Sequence, residues 1–413
     1  VGLLPLAVIF ITGAISLPAG TWADRWTRRN ILAIGAMIWG CAGMFAAASS
    51  SFIQLFLTRA LLGFGQGTIA PTHLSLLSDY YPMQVRGRVL GYHRAANPAG
   101  QVIGALVGGG IIAAAGWRWG FVAAALPGLL FGLYALTLRE PRRGESDLLD
   151  AAAENPLLAE FLHDPDDKPG FFASLGDIFA NRTLRLLIFT NAAFGFTLFG
   201  IVFWLPAFFE REYGFTTSQA GVAFAFLALA AFIGTWFGGP LADRNVHKGF
   251  TYIAKLGVYA TGFLTATWTV AFAAPSAVVT IVALVLGAMI ASLALPGLTA
   301  IVAAAAPPRI RSQAFAAFGL ALAVCGAAAA PLVVGASSEA LQQWAGMDEG
   351  ASLRWSIAAS AATVASLGTY LMYRASKVAG EDVQRTMAAF LQDYVSRAQA
   401  RAAMRPESGG PPS

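Results

Sequence analysis

Charge is what this chain has little of. Of its 413 residues only 12% are Asp, Glu, Lys or Arg, while 57% are hydrophobic and the mean hydropathy is +0.62. A soluble domain carries about 25% charged residues. A chain this long with half that share could not solvate its surface, which excludes a soluble enzyme. The same composition excludes a disordered chain and a nucleic-acid binder, despite the balance of 27 basic over 22 acidic residues. Cysteine is almost missing: Cys41 and Cys325 lie far apart inside apolar runs, where they fit as small hydrophobes and not as a disulfide or metal framework. There is no G-x-x-x-x-G-K-[ST] loop, which argues against ATP-driven pumping. Gly63-Phe-Gly-Gln-Gly67 is no substitute, because it follows no strand and lies inside an apolar run. No His, Asp or Cys cluster marks a membrane-embedded enzyme, and neither cofactor nor metal is expected.

What is present is a series of apolar runs long enough to cross a bilayer as helices. Eleven can be read, at approximately 1–21, 31–49, 52–77, 89–114, 119–138, 184–209, 218–241, 251–274, 276–304, 312–338 and 355–374. Lys and Arg divide unevenly between the connections: 22 fall on one side, whereas the opposite loops hold only Arg118, Arg211 and Arg354. By the positive-inside rule the rich side is cytoplasmic, and so is the carboxyl terminus. Val1 then starts outside, so the expectation is that one helix is missing upstream and that the natural protein has twelve.

An internal repeat supports this division. Gly20-Thr-Trp-Ala23-Asp24-Arg25 closes the first run and Gly239-Pro-Leu-Ala242-Asp243-Arg244 closes the seventh, 219 residues later. Arg86-Gly-Arg88 is echoed by Arg309-Ile-Arg311, displaced by 223. Similar displacements imply two six-helix halves in the same orientation. The expected organisation is an amino-terminal bundle over 1–138, a cytoplasmic linker over 139–183 and a carboxy-terminal bundle over 184–374. A cytoplasmic amphipathic helix and disordered tail follow over 375–413.

The G-x-x-A-D-R-x-x-x-R loop resembles the signature of the major facilitator superfamily, and Arg59-Ala-Leu-Leu-Gly63-Phe-Gly65 is similar to that superfamily's fourth-helix motif. More narrowly, the chain resembles the spinster-like transporters through Arg139-Glu-Pro-Arg-Arg-Gly144, Phe203-Trp-Leu-Pro-Ala-Phe-Phe-Glu-Arg211, Pro331-Leu-Val-Val-Gly335 and Leu353-Arg354. The W-L-P pattern is also shared with anion:cation symporters. These resemblances imply an all-α polytopic membrane protein of the major facilitator fold, working by alternating access. The spinster-like one implies lysophospholipid or sphingolipid-like cargo. A carrier of the same fold for another cargo (a proton-coupled small organic anion, or an exported drug) and a non-transporting sensor are the competing readings.

Two sets of residues are candidates for the work. In the loops, Gly20 and Gly239 let helices approach closely. Asp24-Arg25 and Asp243-Arg244 can cap a neighbouring helix or pair with Arg86 and Arg309, forming a cytoplasmic latch between the halves. A plain topology signal would need only the positive charges.

In the spans, Arg59, Gln66 and His73 share a face of one helix, and Arg94, Asn97 and Gln101 share a face of the next. They read as a cavity wall with Arg59 drawing an anionic group. Against that, an arginine bonded to backbone carbonyls, close packing at Gly104 and Gly108, and interfacial solvation of His73 explain the same residues. Asn191, Thr197 and Trp204 could line the other half or simply pack.

No acidic residue lies well inside a span, so proton coupling is implied by resemblance alone. The second half's later helices are mostly Ala, Gly, Leu and Val, and a cationic wall facing an apolar one would suit an anionic amphiphile. The expected partners are therefore the lipid bilayer, a small amphiphilic or anionic substrate and protons, with no nucleic acid. The expected unit is a monomer in a bacterial inner membrane. The linker is acidic between Glu145 and Asp167 and reads as a solvated, disordered loop, and His163-Asp-Pro-Asp-Asp167 within it is not a metal site. Phe171 to Arg182 reads as a short interfacial helix. Val383, Met387, Phe390, Leu391 and Tyr394 form a stripe expected to lie on the membrane face.

Overall fold

The computed structural model describes residues 3–154 and 170–404, which fold as helices with no strand among them. The elements are α1 (Leu3–Arg25), α2 (Arg28–Ala48), α3 (Phe52–Tyr80), α4 (Met83–Ile103), α5 (Gly109–Ala115), α6 (Trp117–Ala135), α7 (Glu145–Glu154), α8 (Phe171–Ala180) and α9 (Arg182–Tyr213). They continue as α10 (Thr217–Asn245), α11 (Phe250–Ala273), α12 (Ala277–Ala305), α13 (Arg311–Ala321), α14 (Ala330–Ala345) and α15 (Glu349–Met404). Local chemistry sets the ends. The Ser51 and Asn181 side chains accept the Gln54 and Leu184 N–H groups, Thr216 and Gln219 form a capping box, and Gly214 and Gly346 end their helices at φ +63° and +64°.

Two rods are not uniform helix. α4 and α5 are joined by π-type turns over Gly104–Gly108, and α13 and α14 by a longer stretch over Leu322–Ala329. Their displacement matches that of the sequence repeat, so both copies widen at corresponding places. Such insertions bend a helix and re-aim one of its faces.

In the first group α3 packs between α1 and α2, and α2 packs on α6. In the second, α9, α11 and α12 pack with α10 and α15 around two buried cores. One core surrounds Ala303, Ala305 and Phe315 at the Lys/Arg-rich end; the other surrounds Phe208, Trp268 and Phe272 at the far end. The groups meet where α1 crosses α13 and where α4 lies along α10 and α12.

Two expectations change in the linker and tail. Residues 145–154 are helical, and Ser146, Asp147 and Leu148 are buried. The carboxy-terminal stripe belongs to α15, which runs unbroken for 56 residues. Phe390 and Leu391 pack on Leu148 of α7, and Val383 joins the core. Val383, Phe390 and Leu391 of the stripe are thus packed against protein. His163, Asp164, Asp166, Asp167 and the residues from Arg405 onward lie outside the described residues.

Candidate functional site

Two glycine–aspartate turns clamp the groups together at the Lys/Arg-rich end. Asp24, in the last turn of α1, accepts the N–H of Ser312 at 3.0 Å and that of Gln313 at 2.9 Å, capping the first turn of α13 from across the interface. A carboxylate at a helix start meets unpaired donors and the positive end of the dipole. Gly20, one turn earlier, makes this possible: a Cβ there would stand 2.8 Å from the Cα of Gln313. The second copy meets α4 in its second turn and not at its cap. Asp243 accepts the Arg88 N–H at 3.1 Å and pairs with the Arg88 side chain at 3.2 Å, while a Cβ on Gly239 would stand 2.6 Å from the Cα of Arg88. Burial pushes the Asp24 carboxyl up to about 7, against the opposing pull of its Ser312 and Gln313 donors and of Arg143.

Beside these turns lies a buried ion-pair chain. Arg311 of α13 donates to Asp79 of α3 at 2.5 Å and to Asp147 of α7 at 2.7 Å. Arg86 of α4 donates to the other oxygen of Asp147 at 2.8 Å, and Arg28 pairs with Asp79 and, at 2.9 Å, with Glu140. All of these side chains except Glu140 are at most 1% exposed. The two arginines hold Asp147 down at about 2 although burial works in the opposite direction. Arg86 therefore serves Asp147 and not the loop aspartates. Arg25, Arg244 and Arg309 are exposed at this end.

Within the spans, α4 presents Arg94, Asn97 and Gln101 along one face, and Gln101 donates to Asn97 at 2.9 Å, both being exposed. The Arg94 Nε is buried with no hydrogen-bond partner among the described residues. Next to it the rings of His73 (α3) and His93 (α4) lie 4.2 Å apart, and His73 Nδ1 meets the Ile69 carbonyl at 2.7 Å. Beyond Ala99 this helix has no near neighbour at its glycines: a Cβ at Gly100, Gly104 or Gly108 would meet nothing within 4 Å. The cationic face thus continues into a stretch with no near neighbour among the described residues.

The other candidates are placed elsewhere. Arg59 sits with its guanidinium 4.5 Å over the Phe121 ring of α6, a cation–π packing contact. Gln66 is exposed on α3. Asn191 donates to the Phe318 carbonyl at 2.7 Å and Trp204 to the Pro331 carbonyl at 2.9 Å, so both stitch α9 to the α13–α14 rod. Thr197 bonds its own helix. His93, Arg311, Asp79 and Asp147 were not legible as site residues. Asp79 and Asp147 stand in segments that read as a span end and an acidic loop, and only the packing of three separated stretches joins them.

Family relationships agree with this architecture. The model of the Major Facilitator Superfamily matches residues 1–379. The chain belongs to the major facilitator superfamily. It is 24% identical over 260 residues to the probable L-galactonate transporter of Escherichia coli (strain K12), which covers 62% of this chain and 56% of that protein. It is 26% identical over 244 residues to the probable sulfoacetate transporter SauU of Cupriavidus necator (strain ATCC 17699), covering 59% and 56%. The chain thus spans just over half the length of these curated relatives. Its fold matches a bacterial homologue of the human lysosomal transporter spinster, in an inward-facing and unoccupied conformation, with a TM-score of 0.53 at 22% identity over 95% of this chain and 90% of that one. Superfamily members are transporters and not enzymes, and this is an integral membrane protein.

Proposed function

We propose that the protein is a secondary transporter that moves a small organic anion by alternating access between its two helix groups. The observation that carries the reading is the face of Arg94, Asn97 and Gln101 beside the His73–His93 pair. It holds a buried guanidinium Nε without a partner, and α4 contains no carboxylate. A cation left unpaired inside a membrane protein is costly unless an anion visits it. Galactonate and sulfoacetate, named for the two relatives, are both anions, which supports the substrate class. The glycine–aspartate turns are the latch that must open in each cycle, and the Lys/Arg-rich end that they close is the cytoplasmic one, in a bacterial inner membrane.

A second reading keeps an amphiphilic anion, including a lysolipid, because the α13–α14 rod carries only Leu, Ala, Val, Cys and Gly over Leu322–Ala329. Uptake into proteoliposomes separates the two. Labelled galactonate, sulfoacetate and a lysophospholipid are offered with and without an inward proton gradient, to the wild type and to Arg94→Gln. Uptake of a small anion that fails in Arg94→Gln supports the first reading, and its acceleration by the gradient identifies proton coupling. Movement of the lysophospholipid alone favours the second. No uptake of any of them by folded protein would sink both.

A further inference from the structure

The polar wall of α4 has a fourth member. His93, Asn97 and Gln101 follow one another at i, i+4 and i+8, so they share a side of the helix, and all three are exposed along it. Arg94 stands beside them, half-buried, and makes no salt bridge or hydrogen bond among the described residues. His73 reaches the same place from α3. Its ring centroid lies 4.2 Å from that of His93, with the two planes tilted by 49°. Its Nδ1 meets the Ile69 carbonyl at 2.7 Å. A carbonyl can only accept, so Nδ1 carries the hydrogen there and Nε2 is the basic nitrogen of the neutral ring. His93 makes no hydrogen bond among the described residues, so each ring keeps a lone pair available for a proton.

No carboxylate stands opposite that lone pair. On α3 the charged residues are Arg59 and Asp79, and on α4 they are Arg86, Arg88 and Arg94. Of the helices packed on these two, α12 has no charged residue. Those of α1, α2, α10 and α13 lie in their terminal turns at the latched end: Asp24 and Arg25, Arg28 and Arg29, Asp243 and Arg244, and Arg311. The acids of α7 (Glu145, Asp147, Asp150 and Glu154) belong to that end too, where Asp79 and Asp147 are already held by arginines. Of the remaining titratable side chains on these helices, Tyr92 stacks on Trp236 of α10, Tyr80 donates to the Arg139 carbonyl, and Cys41 lies in the far half of α2. The charge that acts on both imidazoles is that of Arg94.

A proton on either ring would therefore stand beside a guanidinium with no counter-charge, and like charges repel strongly in a wall of low dielectric. An anion on Arg94 removes that repulsion, so anion and proton favour each other at neighbouring sites. Two rings this close share one added proton more readily than they take two. We propose that His73 and His93 are the proton-coupling site of the carrier: the pair takes up one proton for each anion that settles on Arg94, and proton and anion cross together. The proposal rests on the reading of Arg94 as the anion's anchor. The proton enters from water at a free imidazole nitrogen, Nε2 in His73, and returns to water on the other side when the anion leaves. Imidazole is the side chain that ordinarily changes charge between about pH 5 and 8, so the pair can load and unload near neutrality.

The test titrates the purified full chain with galactonate and with sulfoacetate between about pH 5 and 8, in two buffers of different ionisation enthalpy, so that the heat reports the protons taken up with each anion. The wild type is expected to take up a proton on binding. Its affinity should be about 5- to 150-fold higher at the acid end, the range of a typical coupling between two sites. His73→Gln/His93→Gln should still bind the anion, which shows that it is folded, but without proton uptake and with an affinity indifferent to pH. If the double variant misfolds, His93→Gln, a change at an exposed position, carries the test and should lower the uptake. Anion binding without proton uptake in the wild type overturns the proposal and leaves the Arg94 reading standing, and so does uptake unchanged in the histidine variants. Uptake lost in Asp24→Asn but kept in the histidine variants also overturns it, by placing the proton in the latch. Binding of neither anion by folded wild type overturns both the proposal and the reading beneath it.

Discussion

Asp147 and Arg311 stand 2.7 Å apart, each 1% exposed, although 164 residues separate them and the aspartate comes from a segment between the two bundles. Asp147 also holds Arg86 of α4, so helix α7 bolts one group to the other at the latched end. The structural consequence is that opening this end must expose or re-pair several charges at once.

Loss of Asp147 should therefore be costly. Asp147→Asn leaves Arg86 buried beside a neutral partner and Arg311 with Asp79 alone, and breaking one side of a buried ion pair costs about 3–5 kcal/mol. Thermal unfolding of the purified protein in detergent should move clearly downward. A melting temperature equal to the wild type's would mean that the chain of charges contributes no net stability.

The glycine turns should be intolerant of even one methyl group that cannot move aside. Gly20→Val and Gly239→Val place carbon against backbone of α13 and α4, at the 2.8 and 2.6 Å approaches found for a Cβ. Spin labels at Asn30 and Lys248, both exposed at this end and in different groups, report closure once Cys41 and Cys325 are replaced. The distance distribution should shift to longer values in both variants. An unchanged distribution would show that the helices can cross without the glycines.

Acidity should favour the latched state through Asp24. Its carboxyl titrates near 7 when capped beneath α13 and near the ordinary 3.8 when the latch opens into water. A raised carboxyl pKa means that the latched state binds the proton more tightly. The cost of ionising Asp24 is in full force above pH 7 and disappears below 3.8, so acidifying from pH 8 to 5 increases the closed population. Asp147, held at about 2, stays ionised over that window. The same spin-label pair should respond to pH in the wild type and lose that part of the response in Asp24→Asn. A wild type indifferent to pH would refute the assignment.

Arg94 and Arg59 should separate in function. Removing a charged hydrogen-bond donor to an anion costs about 1.5–3 kcal/mol, roughly a 10- to 100-fold loss of affinity. Arg94→Gln should lose that much for its anion in a binding titration, whereas Arg59→Gln, which gives up a ring contact with Phe121, should chiefly lower thermal stability. The opposite pattern would move the anion to Arg59.

The membrane character, the runs and the twofold repeat follow from the sequence because they depend on composition and on short-range order. A scarcity of charge cannot be hidden, an apolar run of helical length has one use in lipid, and Gly20–Asp24 and Gly239–Asp243 repeat whatever they touch. Helical period also sets Arg94, Asn97 and Gln101 on one face. Tertiary structure alone decided the partners. Asp24 meets Ser312, His73 meets His93, and Asp147 leaves what reads as a solvated acidic loop for a buried seat between two arginines. Nothing within a helical turn of any of these residues encodes the choice. The registry between rods is set by how their side chains interlock and by the need of each buried charge for a counter-charge, and both are settled only when the helices are packed.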